Sequence, residues 1–320
     1  MAGTVRLPRV SSREADRATT PIVKAQIGDL LGVDPRRVFL THGATEGNAL
    51  ALFHIAGSER RHRGSVGRVR AWMPEYLPLW ESALAVGFRP APSRGPAAFA
   101  VVSNPRNPEG RLWNRREAET RLAGHRAVLI DETFREFTSA PSLAETGHRG
   151  WWCTGTFTKV YGGDALRVGW VVSPPEESEA FRRWHALVAD PVPPLSLAGA
   201  IACLDQRDRL LREVRDLWEW NRTVLARHRP DASALAAPVY FDRTPGIDTL
   251  RLARRAVRRS ILVAPGTYFG DPGGVRICLT RRRFPTDFEA YLRFRKSEGD
   301  APPRPSPVQT ALRPSTLRRR

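Results

Sequence analysis

Lysine is scarce in this chain, and one lysine sits in a setting that calls for more than charge. Of 51 Lys and Arg residues only Lys24, Lys159 and Lys296 are lysines, which leaves 48 arginines. Where positive charge alone is needed, the chain uses arginine. Arginine keeps its proton and forms no imine, whereas lysine can lose its proton and can form one. Lys159 follows Thr154, Thr156 and Thr158, and Arg167 comes eight residues later, ahead of a β-like run at 168–172. An amine so placed suits Schiff-base catalysis on a carbonyl or on the aldehyde of pyridoxal phosphate. The neighbours suit a phosphorylated ligand: hydroxyls of Thr156 and Thr158 can donate to phosphate oxygens, and Arg167 can clamp them bidentately. Gly162 and Gly163 let backbone approach closely. By spacing alone, the stretch reads equally as a surface loop with an isolated lysine.

The elements that must position these residues follow a strand–turn–helix rhythm. Residues 20–32 have helical apolar spacing, with Pro21 suited to a first turn. Residues 38–41 form a short strand that turns through GATEG into a helix. Free N–H groups and small side chains at such a helix start accept a phosphate, although GATEG alone also reads as a plain cap. Residues 68–72 are strand-like and lead into MPEYLPLW. Strand 99–102 ends in SNPRNPEGRLW, where two X-Pro steps force extended backbone at a strand's C-terminal end, the place where α/β sites lie. Apolar residues 127–130 lead into DETFREF, with Asp131 at the strand end. Helices fill about 175–230 around a break at residues 191–194. A strand at 239–241, a basic helix at 249–260, PGTYFG and GGVRICLT complete the pattern.

Composition narrows the class. Hydrophobic residues make up 41% of 320, ordinary for a soluble protein and enough for a substantial core. No apolar run reaches membrane-spanning length, and the first residues lack the apolar core of a signal peptide. Cys153, Cys203 and Cys278 are odd in number and far apart, which fits a reducing cytosol and no disulfide framework. No metal-ligand spacing is present. The formal net charge of +18 is concentrated in part at Arg251, Arg254, Arg255, Arg258 and Arg259, whose helical spacing makes a stripe. No nucleic-acid module accompanies it, so weak polyanion binding at low salt is expected, without a specific nucleic-acid partner.

Taken together, the motifs resemble those of fold-type I pyridoxal-phosphate enzymes, the class I and II aminotransferases. Their lysine motif, Ser-x-Ser-Lys-x-(Tyr/Phe)-Gly followed by Leu-Arg-x-Gly-(Tyr/Trp), is matched by Thr156–Gly162 and Leu166–Trp170. The resemblance implies that Lys159 holds the cofactor as a Schiff base. Ala44, Thr45, Thr156, Thr158 and Arg167 would then hold its phosphate. Tyr76, Asn107 and Asp131 would meet the ring face, the phenolic oxygen and the ring nitrogen, and Arg276 the substrate carboxylate. Phe134 departs from the usual tyrosine, and Glu109 from the usual threonine. Phenylalanine there, with threonine before the lysine, is similar to the threonine-phosphate decarboxylases and the histidinol-phosphate aminotransferase group.

The resemblance implies an α/β fold with a mostly parallel seven-stranded sheet flanked by helices, plus a smaller C-terminal α/β domain. The expected organisation is an arm at 1–18, a large cofactor-binding domain at 19–190, a small domain at 191–297 and a disordered basic tail at 298–320. The expected activity is transfer of an amino group between an amino acid and a 2-oxo acid by a cytoplasmic homodimer. Two alternatives stand beside it: decarboxylation of a phosphorylated amino acid, and a degraded scaffold that binds an acidic partner.

Overall fold

The structure, a computed structural model, describes residues 12–92 and 95–299. The main sheet contains β1 (Val38–Thr41), β2 (Arg68–Arg70), β3 (Arg89–Pro90) and β4 (Phe99–Ser103). It is completed by β5 (Ala127–Asp131), β6 (Trp151–Thr156) and β7 (Gly169–Val172). In space the strands run β1-β7-β6-β5-β4-β2-β3. All pairings from β6 to β3 are parallel, and β7 is antiparallel to both of its neighbours. The mostly parallel seven-stranded sheet expected from sequence is therefore present. Every residue of β1, β4, β5, β6 and β7 is buried. Such strands carry apolar runs because helices cover both faces.

The two faces separate cleanly. Val38, Val102, Ile130 and Cys153 point into one core with α1 (Ser12–Leu31), α6 (Pro194–Asp205) and α7 (Arg207–Ala226). Phe39, Val101, Leu129 and Trp152, one residue out of step, point into the other. There they meet α2 (Ala44–Arg63), α3 (Leu77–Ala85) and α5 (Ser178–Val188). Between β4 and β5 lies α4 (Arg115–Leu122). The alternation is the period-2 pleat of a strand, so each strand divides its side chains between two helical layers.

The chain after α7 builds a second, antiparallel sheet in the order β8-β10-β9. Its strands are β8 (Val239–Arg243), β9 (Ala264–Pro265) and β10 (Gly274–Cys278), accompanied by α8 (Thr249–Val257) and α9 (Phe284–Gly299). Asp248 caps α8 by accepting from the N–H groups of Leu250 and Arg251. Leu252, Ala253 and Ala256 face inward while Arg251 and Arg254 are exposed, so the basic stripe is this helix's solvent side. Among the described residues no helix is long and apolar enough to cross a membrane.

Three boundaries differ from expectation. Helix α1 starts by Ser12, inside the expected polar arm, and Pro21 lies within it rather than at its first turn. Proline withholds one helical hydrogen bond there, but Val23, Ile27 and Leu31 are almost fully buried, and packing of that face holds the helix. The basic helix stops at Val257, before Ser260, whose backbone is left-handed. Helix α9 runs past the expected start of the tail at 298, and Arg255 pairs with Glu298 at 2.8 Å. The rest of the expected tail, 300–320, lies outside the described residues, as do residues 1–11 of the arm.

Candidate active site

The C-terminal ends of the parallel strands open onto a cavity of about 390 Å³. All eleven residues nominated from sequence line it: Lys159, the phosphate group Ala44, Thr45, Thr156, Thr158 and Arg167, and the set Tyr76, Asn107, Asp131, Phe134 and Arg276. They come from six separate segments, and the pleat and turns bring them to one place.

Helix α2 starts at one end of the cavity. Its cap, Gly43, has φ +92 and no side-chain hydrogen bond closes the helix start. A left-handed φ of this kind suits glycine. The first-turn N–H groups, among them those of Ala44 and Thr45, therefore face the cavity with the positive end of the helix dipole. Arg167 stands beside them, with Nη2 donating to the His42 carbonyl at 3.1 Å. Its backbone is also left-handed, φ +52, a costly conformation for a side-chain-bearing residue and one that clusters at functional sites. Gly169 permits the close approach of β7 to this turn: a Cβ there would lie 2.5 Å from the Gly43 carbonyl carbon and 2.8 Å from the Ala44 nitrogen.

The threonines form a short relay. Thr156 Oγ1 donates to the Val168 carbonyl at 3.0 Å and lies 2.8 Å from Thr158 Oγ1. The Thr158 N–H also donates to Thr156 Oγ1 at 3.1 Å. Lys159, next in the chain, is exposed to the cavity. Among the described residues its ammonium has no hydrogen-bond or ion-pair partner.

Asp131, at the end of β5, is buried, and each of its oxygens holds one donor. Its Oδ1 accepts from the Thr133 N–H and its Oδ2 from Asn48 Nδ2, each at 2.9 Å. Asn48 in turn accepts from the Thr154 hydroxyl at 2.6 Å. Asn48 and Thr133 fix the carboxylate's plane, and sequence reasoning did not assign either of them. Asn48 looked like an ordinary polar residue on the first turns of α2. Only the parallel register that sets Asp131 opposite Thr154 brings the three together.

Tyr76 is half-buried, and its hydroxyl is close enough to Thr45 to influence its titration. Burial pushes its phenol up, Asp131 adds to this, and Arg276 and Thr45 oppose it. Asn107 Oδ1 accepts from Arg276 Nη1 at 3.0 Å. Burial holds the Arg276 guanidinium below its usual value, and its buried Nε has no partner. An arginine with one arm occupied and a donor left over is ready to take a carboxylate. Phe134 and Phe137 make an aromatic wall with ring centroids 6.0 Å apart. Val239, Cys278 and Thr280 line the cavity beyond Arg276. Cys278 follows Arg276 by two on β10 and so shares its face, a signal that was available in sequence.

Comparison with known proteins bears on the whole assembly. The family model described as aminotransferase class I and II matches residues 83–283. The chain is 28% identical over 229 residues to an aspartate aminotransferase of Thermococcus kodakarensis, which covers 63% of this chain and 60% of that protein. It is 29% identical over 259 residues to a histidinol-phosphate aminotransferase of Aromatoleum aromaticum, which covers 75% and 72%. The chain thus spans less than two thirds of the first of these relatives. Among solved structures, a PLP-dependent aminotransferase from Streptococcus suis superposes with a TM-score of 0.74 at 17% identity, covering 87% of this chain and 82% of that one.

Proposed function

The chain belongs to the class I and II aminotransferase family, and from that premise we propose that it is a pyridoxal-phosphate-dependent enzyme moving an amino group between an amino acid and a 2-oxo acid. The observation that carries the reading is the convergence of all eleven nominated residues on one cavity.

The residues present fit the cofactor. The uncapped start of α2, the threonine relay and Arg167 suit a phosphate. The unpartnered amine of Lys159 suits an aldehyde, and the orphaned Arg276 Nε suits a second anion nearby. When bound, pyridoxal phosphate supplies an electrophilic carbon and a ring that accepts the electrons of a substrate bond.

The protein's part is positioning, electrostatics and proton movement. Ala44, Thr45, Thr156, Thr158 and Arg167 hold the phosphate through backbone and side-chain donors. Asp131, with its two oxygens oriented by Asn48 and Thr133, keeps a proton on the ring nitrogen. Asn107 and Tyr76 would hold the group, the first through its amide donor to the phenolic oxygen and the second through its aromatic face. Arg276 takes the α-carboxylate through its two-pronged fork and so turns the substrate Cα–H toward Lys159. The Lys159 amine would be the group that takes up and holds the proton of the substrate Cα. Phe134 offers no hydroxyl, so Asn107 carries the phenolic oxygen alone.

The same reading assigns residues 19–190 to a cofactor-binding unit and 191–297 to a smaller one, and takes the active form to be a cytoplasmic homodimer. The test is a screen of amino donors and 2-oxo acids with added pyridoxal phosphate, followed by absorbance and product analysis. Wild-type turnover that disappears in Lys159→Ala supports the assignment. A protein that takes up no cofactor and turns over no donor overturns it.

A further inference from the structure

Beneath the cavity, outside its lining, lies a buried ion pair that the proposed chemistry does not use. Glu75 is fully buried and Arg106 nearly so. Glu75 Oε1 accepts from the Tyr76 N–H at 2.8 Å and from the Ser103 hydroxyl, and Oε2 accepts from the Ser103 N–H at 2.9 Å and from Arg106 Nη1. Arg106 Nη2 donates to the carbonyls of Trp72 and Pro74, the latter at 2.8 Å. The Ser103 hydroxyl also accepts from the Asn107 N–H at 2.8 Å. The segment that carries Tyr76 is therefore laced, through one carboxylate and one guanidinium, to the segment that carries Asn107.

The lacing reaches the second sheet. The Glu75 N–H donates to the Phe269 carbonyl at 3.0 Å. The Phe269 ring lies 5.0 Å below the Arg276 guanidinium, which itself donates to Asn107. Tyr76, Asn107 and Arg276 thus share one buried anchor. A buried ion pair is weak evidence for stability, because apolar replacements of both partners are often neutral or better. What such a pair supplies is a fixed geometry, since Glu75 and the arginine fork each fix several partners at once.

We propose that Glu75 and Arg106 are positioning residues that hold Tyr76 and Asn107, and through Asn107 also Arg276, in the one arrangement that fits ring and substrate carboxylate together. This rests on the functional reading above and deepens it.

The test compares the wild type with Arg106→Lys and with the double variant Glu75→Leu/Arg106→Met. The readouts are thermal midpoint, pyridoxal-phosphate dissociation constant by visible absorbance, and KM and kcat for the best donor. The double variant removes both charges at similar volume but strands the N–H groups of Tyr76 and Ser103 and the carbonyls of Trp72 and Pro74, so its midpoint should fall, and KM and dissociation constant are read on folded protein well below that midpoint. There it should raise the donor KM and the cofactor dissociation constant by about tenfold or more, the equivalent of one lost hydrogen bond to a charged group. Arg106→Lys, which keeps the charge but loses the fork, should raise the same KM by less. A merely structural role would lower the yield of active protein, seen as kcat, and leave KM unchanged. Wild-type KM and dissociation constant in either folded variant overturn the inference. A wild-type protein that takes up no cofactor removes the functional reading, and this inference with it.

Discussion

Gly169→Ala tests how closely the end of the cavity proposed to hold the phosphate is built. The added Cβ would sit 2.5 Å from the Gly43 carbonyl carbon, 2.7 Å from its Cα and 2.8 Å from the Ala44 nitrogen. Carbon atoms in contact prefer about 3.5–4.0 Å, so the overlap is about 1 Å. All three atoms are backbone, so no side chain can swing away. Gly169 pairs with Thr41 on one side and Thr156 on the other, which pins its own strand in the sheet. The turn at Gly43 must move instead, and it carries the first N–H groups of α2. Overpacking of this kind costs about 1–3 kcal/mol, and a displacement near 1 Å at a binding group costs roughly a hundredfold in function. We expect the variant to fold with a thermal midpoint lowered by a few degrees, while pyridoxal-phosphate affinity falls far more than stability. Gly57→Ala, on the same α2, is the control: its Cβ meets only Arg61 Nη1, at 3.4 Å. Alanine there should stabilise by about 0.5–1 kcal/mol and leave cofactor affinity unchanged. Wild-type affinity in Gly169→Ala would refute the reasoning.

Other substitutions probe other parts of the site. Asn48→Leu removes one hydrogen bond to Asp131 and should raise the cofactor dissociation constant about tenfold, read by absorbance titration. Arg276→Lys keeps a charge but loses the fork to carboxylate and Asn107, and should raise donor KM by about 10–100-fold with a smaller effect on cofactor affinity. The His185 imidazole is held below its usual value, by burial first, with a 3.1 Å bond to the Leu40 carbonyl and Glu46 opposing and Lys24 adding. With a depressed folded value, the unfolded chain takes up its proton first, so stability present above about pH 6.5 is lost on acidification. His185→Gln should flatten the decline of the thermal midpoint between about pH 7 and pH 5; an unchanged slope would contradict this.

The site was legible where its chemistry demands particular residue types at strand ends. Asp131 and Asn107 each follow a short apolar run and Lys159 a run of threonines, and the strands β1, β4 and β5 fall where apolar runs predict them. What escaped was long-range. Glu75 and Arg106 are 31 residues apart, and nothing in either local sequence marks them as partners. Asn48 meets Asp131 across 83 residues, through sheet register rather than pattern. The start of α1 was misplaced because proline favours a first helical turn, whereas Pro21 lies inside a helix that burial of Val23 and Ile27 holds in place. Arg167's left-handed backbone is likewise imposed by the turn around it, against its own preference.

The most direct measurement is covalent trapping. The protein is incubated with pyridoxal phosphate, reduced with borohydride, digested and mapped by mass spectrometry. The account requires the cofactor's mass on the peptide carrying Lys159, with neither Lys24 nor Lys296 modified in appreciable yield. An unmodified Lys159 peptide, or label spread over all three lysines, would contradict it.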